Sequence, residues 1–412
     1  MIPLRAGMKL RSVSSDSPAA KILVLVSVFM FWFAHYVYMP TLPQYVQERT
    51  ANLTQVGIVL SMYGLWQAIV RLPIGIFTDR IGRRKGCMLA GILMAGAGSL
   101  TLAVASNFPM LTFGRSLVGL SMSAWVLQVV FFGTLFSGEK VIKAGAILTT
   151  ASSLAKLTGT FSTGYLNAAG GYSLAFLVSA GAVVLSVIFL LPVEERPFGR
   201  PSGAEGKEPD RIAGKRFQLK PIITHPRVVL VSILAGVNQF LNFGIVFGFF
   251  PIKAEMMGAS DLMKSYLLSV NILCLIGGNL LTTSIGKREN TVMLLSVSYL
   301  FFALGIILTP AVGSIGLLFI LQALLGFAHG VSYPVLIGAC IQDIPQNGRA
   351  TAMGFHQSVY AVGMFLGPWI AGALADSIGI DATFYSIGGG AAALCLVLLI
   401  LLRRHAYAPR RS

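Results

Sequence analysis

The chain has 412 residues, of which 55% are hydrophobic and only 11% are charged, and its formal net charge at pH 7 is +16. Soluble domains carry about 25% charged residues, so this chain lacks the polar groups that a water-exposed surface requires. The composition excludes a soluble enzyme, a nucleic-acid-binding module and a disordered chain, and it indicates an all-α polytopic membrane protein.

Twelve apolar stretches are long enough to span a membrane, since a spanning helix needs about 20 apolar residues. Spans 1 to 12 are predicted at 22–41, 54–77, 86–105, 109–135, 144–166, 173–192, 228–250, 262–283, 291–309, 314–339, 350–374 and 383–402. Span 1 follows a basic tail, as a signal peptide does. Because Tyr38, Met39 and Pro40 follow it in place of small residues, we expect an uncleaved helix.

The distribution of Lys and Arg predicts the orientation of the chain. With the N-terminus in the cytoplasm, 25 of the 31 basic residues fall in cytoplasmic segments, three in external segments and three inside spans. We therefore predict a multi-pass protein of the plasma (inner) membrane with both termini in the cytoplasm. The positive charge faces an anionic lipid leaflet and does not predict nucleic-acid binding.

A segment rich in Pro, Gly and charged residues divides the chain, as a linker would. This division predicts two six-helix bundles, at 22–192 and 228–402, joined by a central loop at 193–227. An N-terminal tail at 1–21 and a C-terminal tail at 403–412 flank them, and we expect the tails and the loop in the cytoplasm. The halves repeat: IGRRK at 81–85 recurs as IGKRE at 285–289, and RSLVG at 115–119 recurs as QALLG at 322–326. Duplicated bundles are typical of a secondary transporter with a site at their interface.

A basic motif, GIFTDRIGRRKG, occupies 75–86 at the cytoplasmic end of span 2. It resembles the signature loop of the major facilitator superfamily, G-x-x-x-D-R-x-G-R-R/K, and the matching residues are Gly75, Asp79, Arg80, Gly82, Arg83 and Arg84. The resemblance covers essentially the whole chain. It implies two pseudo-symmetric bundles of six helices, transport by alternating access and a gating role for this loop. The alternative is a basic loop that only fixes the topology.

The residue types of this motif suit a gate. Gly75 lets a neighbouring helix approach closely, and Gly82 permits a tight turn. Asp79 could cap the start of a neighbouring helix or pair with an arginine. In the second half Asp79 corresponds to Thr283, so the acidic group occurs in one half only.

The RSLVG element in span 4 is similar to the R-x-x-x-G element of drug and proton antiporters. This resemblance implies a proton-coupling role for Arg115. Span 5 lacks the Gly-Pro pair that these antiporters carry there, and Gly367 and Pro368 in span 11 supply that pattern instead.

Ionisable groups at membrane depth usually mark function, because charge inside the bilayer is costly. Arg71, Arg115 and Lys156 lie inside spans, whereas none of the 15 Asp and Glu residues lies deep in one. Helical spacing predicts a cavity between the halves that is lined by Tyr36, Tyr63, Gln67, Arg71, Lys156, Asn238, Asn242, Asn271, Gln322, Tyr333 and Tyr360. Spans 3, 6, 9 and 12 are almost purely apolar, which indicates lipid-facing helices.

Three histidines at membrane depth join Arg115 as candidates for proton coupling, because an unperturbed histidine titrates near neutral pH. They are His35, His329 and His356. An interhelical hydrogen bond is the alternative role for each histidine. It is equally the alternative for the Asn, Gln and Tyr side chains of the predicted cavity.

The sequence shows no catalytic constellation, metal-ligand cluster or phosphate-binding loop, so we predict neither enzymatic activity nor a cofactor. Transport would then draw on an ion gradient, with the proton as the default ion. The primary hypothesis is proton-coupled export of a small organic solute, of the drug or metabolite efflux type. The alternatives are uptake or exchange of anionic metabolites at a cationic site in the first half, and a non-transporting receptor or scaffold.

The cationic interior favours anionic or zwitterionic solutes over lipophilic cations. The expected partners are this small-molecule substrate, protons and membrane lipids. The family resemblance implies a monomer.

Overall fold

A computed structural model describes residues 13–15, 17–136, 140–195, 224–345 and 348–406, and these are helical, without a β-strand. The helices of the first half are α1 Pro18–Tyr36, α2 Leu53–Ile81, α3 Lys85–Ala103, α4 in the two pieces Phe108–Ser121 and Ala124–Thr134, α5 at 140–169 and α6 at 172–190. Those of the second half are α7 Pro226–Met256, α8 Asp261–Ile285, α9 Thr291–Leu308, α10 Ile315–Ile341, α11 Arg349–Ile378 and α12 Ile380–Ala406. A short helix, Leu42–Gln47, lies between α1 and α2.

The helices α1 to α12 correspond to spans 1 to 12, so the predicted all-α membrane fold is confirmed. In the described ranges, eleven continuous helical stretches are long and apolar enough to cross a membrane. One of them contains both α5 and α6, which are separated only by the non-helical residues Gly170 and Gly171. Gly171 has φ = 68°, a left-handed conformation that glycine adopts at little cost.

Several predicted boundaries differ from the observed helix ends. α1 begins at Pro18 and α12 continues to Ala406, so the tail boundaries predicted at 21 and 403 fall inside helices. Hydropathy marks the part of a helix in hydrocarbon, whereas backbone hydrogen bonding continues into the polar interface. The rest of the tails (1–12 and 407–412) and residues 196–223 of the central loop lie outside the described residues.

The two bundles are pseudo-symmetric, and equivalent glycines make equivalent helix contacts. A Cβ atom at Gly119 would lie 2.6 Å from the carbonyl oxygen of Met62, where α4 meets α2. At Gly326 it would meet the carbonyl oxygen of Asn271, where α10 meets α8. Small residues allow this close approach of helices in a membrane.

The predicted lipid-facing helices expose apolar side chains. Among them are Leu93 and Leu100 of α3, Leu177 and Val184 of α6, Met293 and Leu300 of α9, and Leu396 and Val397 of α12. Lipid tails provide an apolar solvent for such surfaces. These four helices therefore act as the outer supports of the bundles.

The two ends of the molecule differ in how the bundles meet. We call the end that holds Arg83, Arg84 and Lys287 the basic end. From the middle to the opposite end, Gly57 of α2 packs on α11 and Gly164 of α5 packs on α8. Among the described residues, the hydrogen bonds that join the bundles also lie in this region. The described hydrogen bonds therefore join the bundles mainly toward the end opposite the basic motif.

Adjacent glycines in α8 provide a matched test of helix packing. A Cβ at Gly278 would lie 2.7 Å from the carbonyl oxygen of Phe327, whereas one at Gly277 would meet nothing within 4 Å. Gly278→Ala is expected to lower the stability by about 1–3 kcal/mol, because a backbone atom must move. Gly277→Ala changes helix propensity equally and is the control. Thermal unfolding in detergent measures the difference, and equal midpoints for the two variants would contradict this packing.

Candidate functional site

The ammonium group of Lys156 lies against aromatic rings in the interior of the first bundle. Its Nζ atom is 3.9 Å from the ring centroid of Trp32 and 5.5 Å from that of Tyr36. Trp32 in turn packs edge-on against Trp125, with centroids 5.0 Å apart. Cation–π contact stabilises a desolvated ammonium group. Since no described carboxylate forms an ion pair with Lys156, its positive charge is not neutralised.

Two phenylalanines of α7 complete this aromatic wall from the second bundle. Phe247 packs edge-on against Tyr36 at 6.1 Å, and Phe243 stacks on Tyr63 at 5.4 Å. Both lie in a π-helical segment, Asn242–Phe249. Pro251 explains the wider turn, because in an α-helix its ring would clash with the carbonyl four residues earlier. Asn242 begins this segment and is 3% exposed.

The sequence did not identify Phe243 and Phe247, because an apolar side chain in a span gives no sign of whether it faces lipid or cavity. Pro251 was the available signal. It indicates an irregular turn at that depth, and irregular backbone in a membrane helix is tolerated where it is buried in protein or lines a cavity.

Arg115 is enclosed, with 1% of its surface exposed. Its guanidinium carbon lies 4.5 Å from the ring centroid of Tyr63, and Nη2 lies 4.0 Å from the sulfur of Met39. The described residues provide no carboxylate partner for it. Tyr63 therefore separates Arg115 from Phe243 and the second bundle.

Arg71 joins the two bundles at the middle of the membrane. Its guanidinium donates hydrogen bonds to Oε1 of Gln67 and to the hydroxyl of Tyr360 on α11. Tyr360 packs edge-on against Tyr333, with centroids 6.4 Å apart, and Tyr333 stacks on His329 at 5.6 Å. These five predicted residues therefore form one connected group.

The three histidines differ in their hydrogen bonding. His35 uses both ring nitrogens: Nδ1 lies 2.7 Å from the carbonyl oxygen of Phe31, and Nε2 lies 2.8 Å from Oγ of Ser121. His356 Nδ1 is 3.3 Å from Oγ of Ser232. Nε2 of His356 and Nδ1 of His329 are buried without a hydrogen-bond partner. His329 is thus a histidine with an unpaired nitrogen that also stacks on an aromatic residue of the connected group.

Three predicted cavity residues instead make hydrogen bonds between helices of the second bundle. Asn238 Nδ2 donates to Oγ of Ser332 at 2.7 Å, and Asn271 Nδ2 donates to Oε1 of Gln322 at 2.9 Å. Asn238, Asn271 and Gln322 are at most 1% exposed. Such pairs provide hydrogen bonds that lipid cannot provide. Helical spacing alone does not distinguish residues in such pairs from residues that line a cavity.

The basic motif forms the turn between α2 and α3. Gly82 ends α2 with φ = 69°, as a tight turn requires. The Glu195 carboxylate accepts hydrogen bonds from the backbone N–H groups of Arg84 and Lys85, and Lys85 Nζ donates to two carbonyl groups after α6. The motif is therefore fastened to the end of the first bundle.

For Gly75, Arg80 and Arg83, three of the other four motif residues, the described part of the chain provides no such contact. Arg80 and Arg83 are exposed. No neighbouring helix approaches Gly75 in this conformation, so the close approach expected there is absent. Asp79 lies in α2, and its side chain lies outside the part that the structure describes.

The sequence model of the Major Facilitator Superfamily matches residues 24–308 and 233–412. The chain belongs to the Major Facilitator Superfamily. A bacillibactin exporter of Bacillus subtilis (strain 168) is 25% identical to this transporter over 349 residues, which cover 82% of this chain and 85% of the exporter. Multidrug resistance protein 2 of the same organism is 22% identical over 368 residues, which cover 86% and 88% of the two chains.

Solved structures show the same fold. A bacterial homologue of the human lysosomal transporter Spinster, in an inward-facing and unoccupied conformation, matches with a TM-score of 0.74 at 15% identity, over 95% of this chain and 97% of that one. A POT family transporter in complex with 5-aminolevulinic acid matches with a TM-score of 0.75 at 14% identity, over 97% and 100%. The predicted family and fold are thus confirmed, and the chain is a multi-pass membrane transporter.

Polar contacts hold the transporter's bundles together at the end opposite the basic motif. The carboxylate of Asp376 on α11 accepts hydrogen bonds from the backbone N–H groups of Leu53 and Thr54, at 2.9 and 2.7 Å, where α2 begins. Lys264 pairs with Glu255 at 3.0 Å and also donates to Gln44 of the first bundle. We call these contacts the opposite-end latch. The sequence placed these residues only at a membrane surface.

Removing the Asp376 carboxylate is expected to weaken this latch. A capping acid at a helix start contributes about 1 kcal/mol, so Asp376→Ala should raise the ratio of open to closed molecules at this end about fivefold. Spin labels at Val104→Cys and Met256→Cys, both on exposed sites of this end, report the distance between the bundles in a background without the native cysteines.

Asp381→Ala is the matched control, because Asp381 pairs at 2.6 Å with Lys253 of its own bundle. Equal distance distributions for the Asp376 and Asp381 variants would show that the cap does not hold this end closed.

Proposed function

We propose that this transporter exports a small anionic or zwitterionic organic solute in exchange for protons. The observation that carries the proposal is the position of Lys156, whose ammonium group lies on the rings of Trp32 and Tyr36 without a described carboxylate partner. A buried charge without a counter-ion is costly. A solute carboxylate or similar group would provide the missing negative charge, and the rings would contact its organic part.

The surroundings distinguish Lys156 from Arg71 and Arg115, the other two cations inside spans. Arg71 already donates to Gln67 and Tyr360, and Arg115 is enclosed beneath Tyr63. Lys156 is half-buried and keeps ammonium protons for a ligand. Its positive charge would repel a lipophilic cation.

Support for the direction comes from the relatives, two of which are named as a bacillibactin exporter and a multidrug resistance protein. Support for proton coupling comes from the unpaired Nδ1 of His329, which is linked through Tyr333 and Tyr360 to Arg71. Uptake or exchange of an anionic metabolite is the second candidate, because the cationic site suits either direction.

The basic end would face the cytoplasm of a cell with the transporter in its plasma (inner) membrane, since cytoplasmic loops carry the excess of Lys and Arg. The opposite-end latch would then face the outside of the cell. Transport would require the bundles at 22–192 and 228–402 to rock against each other within one monomer.

Loss of the Lys156 charge should reduce solute affinity. In proteoliposomes, Lys156→Gln is expected to weaken counterflow of an aromatic carboxylate by about ten- to a hundredfold, because a charge-assisted hydrogen bond is lost. Lys156→Arg should retain part of the activity. Lys21→Gln is the matched control, since Lys21 also lies over a ring, that of Phe136 at 4.6 Å, but on α1 near the basic end.

The assay also tests the rest of the proposal. The parent should transport the carboxylate in preference to its neutral amide and to a lipophilic cation, with proton movement in the opposite direction, and His329→Gln should reduce that proton movement. Preference for the cation, unchanged in Lys156→Gln, would exclude the anion site. Absence of counterflow would indicate a receptor or scaffold.

The basic motif is proposed to close the cytoplasmic side, with Asp79 reaching across to the second bundle when the opposite-end latch opens. Asp79→Asn should then lower turnover several-fold while membrane insertion stays intact, because Arg80, Arg83 and Arg84 remain. The readouts are initial transport rate and the amount of inserted protein. A variant with the parent's turnover would leave the motif with a role in topology alone.

A further inference from the structure

The second bundle contains a cavity at its basic end that the substrate site does not use. It has a volume of about 320 Å³ and lies among the ends of α8, α9, α10 and α11. Its polar lining consists of Thr282, Lys287, Arg288, Thr291, Gln342 and Arg349. A volume near 300 Å³ is at the lower end of the range of small-ligand sites.

Positive charge predominates around this cavity. Asp343 is shared between Arg288 at 3.0 Å and Arg227 at 2.6 Å, so one carboxylate serves two guanidinium groups. Lys287 is exposed and forms no ion pair with a described residue, and Nε of Arg349 donates to the carbonyl oxygen of Ile344 at 3.2 Å. Glu289 lies exposed on the same turn. The side chains around this cavity thus include four basic residues and two acidic residues, Asp343 and Glu289.

The first bundle shows what occupies the equivalent turn there. Gly82 corresponds to Gly286, so Arg83 and Arg84 correspond to Lys287 and Arg288. In the first bundle, the Glu195 carboxylate accepts the backbone N–H groups of Arg84 and Lys85. An internal anionic group therefore binds at this basic turn.

In the second bundle, the Asp343 carboxylate binds the side chain of Arg288 at 3.0 Å, and no described carboxylate accepts a hydrogen bond from the backbone N–H groups of Arg288 or Glu289. Gly171 and Gly379, with φ of 68° and 84°, mark equivalent breaks before α6 and α12. The same spacing after each break places Arg403 where the first bundle has Glu195. α12 also continues as a helix to Ala406, whereas α6 ends at Leu190. The sequence position that corresponds to Glu195 thus carries a cation.

We propose that this cavity binds a phosphate group, carried either by an anionic membrane lipid or by a solute in the surrounding water. Phosphate oxygens accept hydrogen bonds from Lys and Arg side chains and from hydroxyl groups. The cavity lies at the basic end of the helices, where anionic lipid headgroups meet basic residues on the cytoplasmic side. The phosphate would take the place that the Glu195 carboxylate takes in the first bundle.

The test compares the full-length transporter with Lys287→Gln/Arg349→Gln, both in neutral detergent. Native mass spectrometry measures binding of phosphatidylglycerol and of phosphatidylcholine. Unfolding midpoints are measured in inorganic phosphate and in chloride at equal ionic strength.

The double variant should bind phosphatidylglycerol about thirtyfold more weakly, because each basic residue contributes about 1 kcal/mol to binding. Arg404→Gln removes an exposed charge of α12 outside the cavity lining and should bind as the parent does.

The lipid-binding and unfolding measurements distinguish a lipid headgroup from a dissolved phosphate. Preference for phosphatidylglycerol that the double variant loses supports a lipid headgroup. A rise in the midpoint with inorganic phosphate that the double variant loses, without a lipid preference, supports a dissolved phosphate. Equal responses of the parent and the double variant to every probe would overturn the site. If the double variant misfolds, Lys287→Gln alone replaces it, with an expected loss of about fivefold.

Discussion

A charge inside the bilayer must be compensated within the protein, and this constraint accounts for the arrangement around Lys156, Arg71 and Arg115. Each of these cations is contacted by different uncharged groups. Arg71 uses an amide and a phenol, Arg115 uses the face of Tyr63, and Lys156 uses Trp32 and Tyr36. A ring face stabilises a cation less than a carboxylate would. The interior of the first bundle therefore remains electropositive, as a site for the proposed anionic solute would be.

The same constraint separates the two ends of the molecule. At the opposite end, acidic side chains of the second bundle accept hydrogen bonds from neutral groups of the first: Asp376 accepts the backbone N–H groups of Leu53 and Thr54, and Asp261 accepts from Asn167. At the basic end, two described carboxylates bind within a single bundle: Glu195 accepts the backbone N–H groups of Arg84 and Lys85, and Asp343 binds Arg227 and Arg288. The described contacts between the bundles therefore lie mainly at the end where acidic side chains of the second bundle reach the first.

Length, composition and the basic motif were sufficient to predict the twelve helices, the duplication and the family, because these depend on periodic and local signals. Spacing on α2, α10 and α11 predicts Gln67, Arg71, Tyr333 and Tyr360 as cavity residues, and the structure brings these four side chains together. Spacing could not separate these residues from Asn271 and Gln322, which hydrogen-bond to each other while Oδ1 of Asn271 has no partner among the described residues. That distinction depends on helix rotation, which glycine contacts such as Gly326 against Asn271 determine and which a single sequence does not specify.

In α7, the number of residues in the π-helical segment determines the direction in which the side chains after it point. The Phe250 N–H bonds to the carbonyl of Ile245, five residues earlier, so the segment holds more residues per turn than an α-helix. Each α-helical residue advances the helix by about 100°. Loss of one residue between 242 and 249 would therefore rotate Lys253 by about that angle, away from Asp381. The number of residues in this segment of the membrane interior therefore determines whether Lys253 faces Asp381, although the segment lies several ångströms away from the two charges.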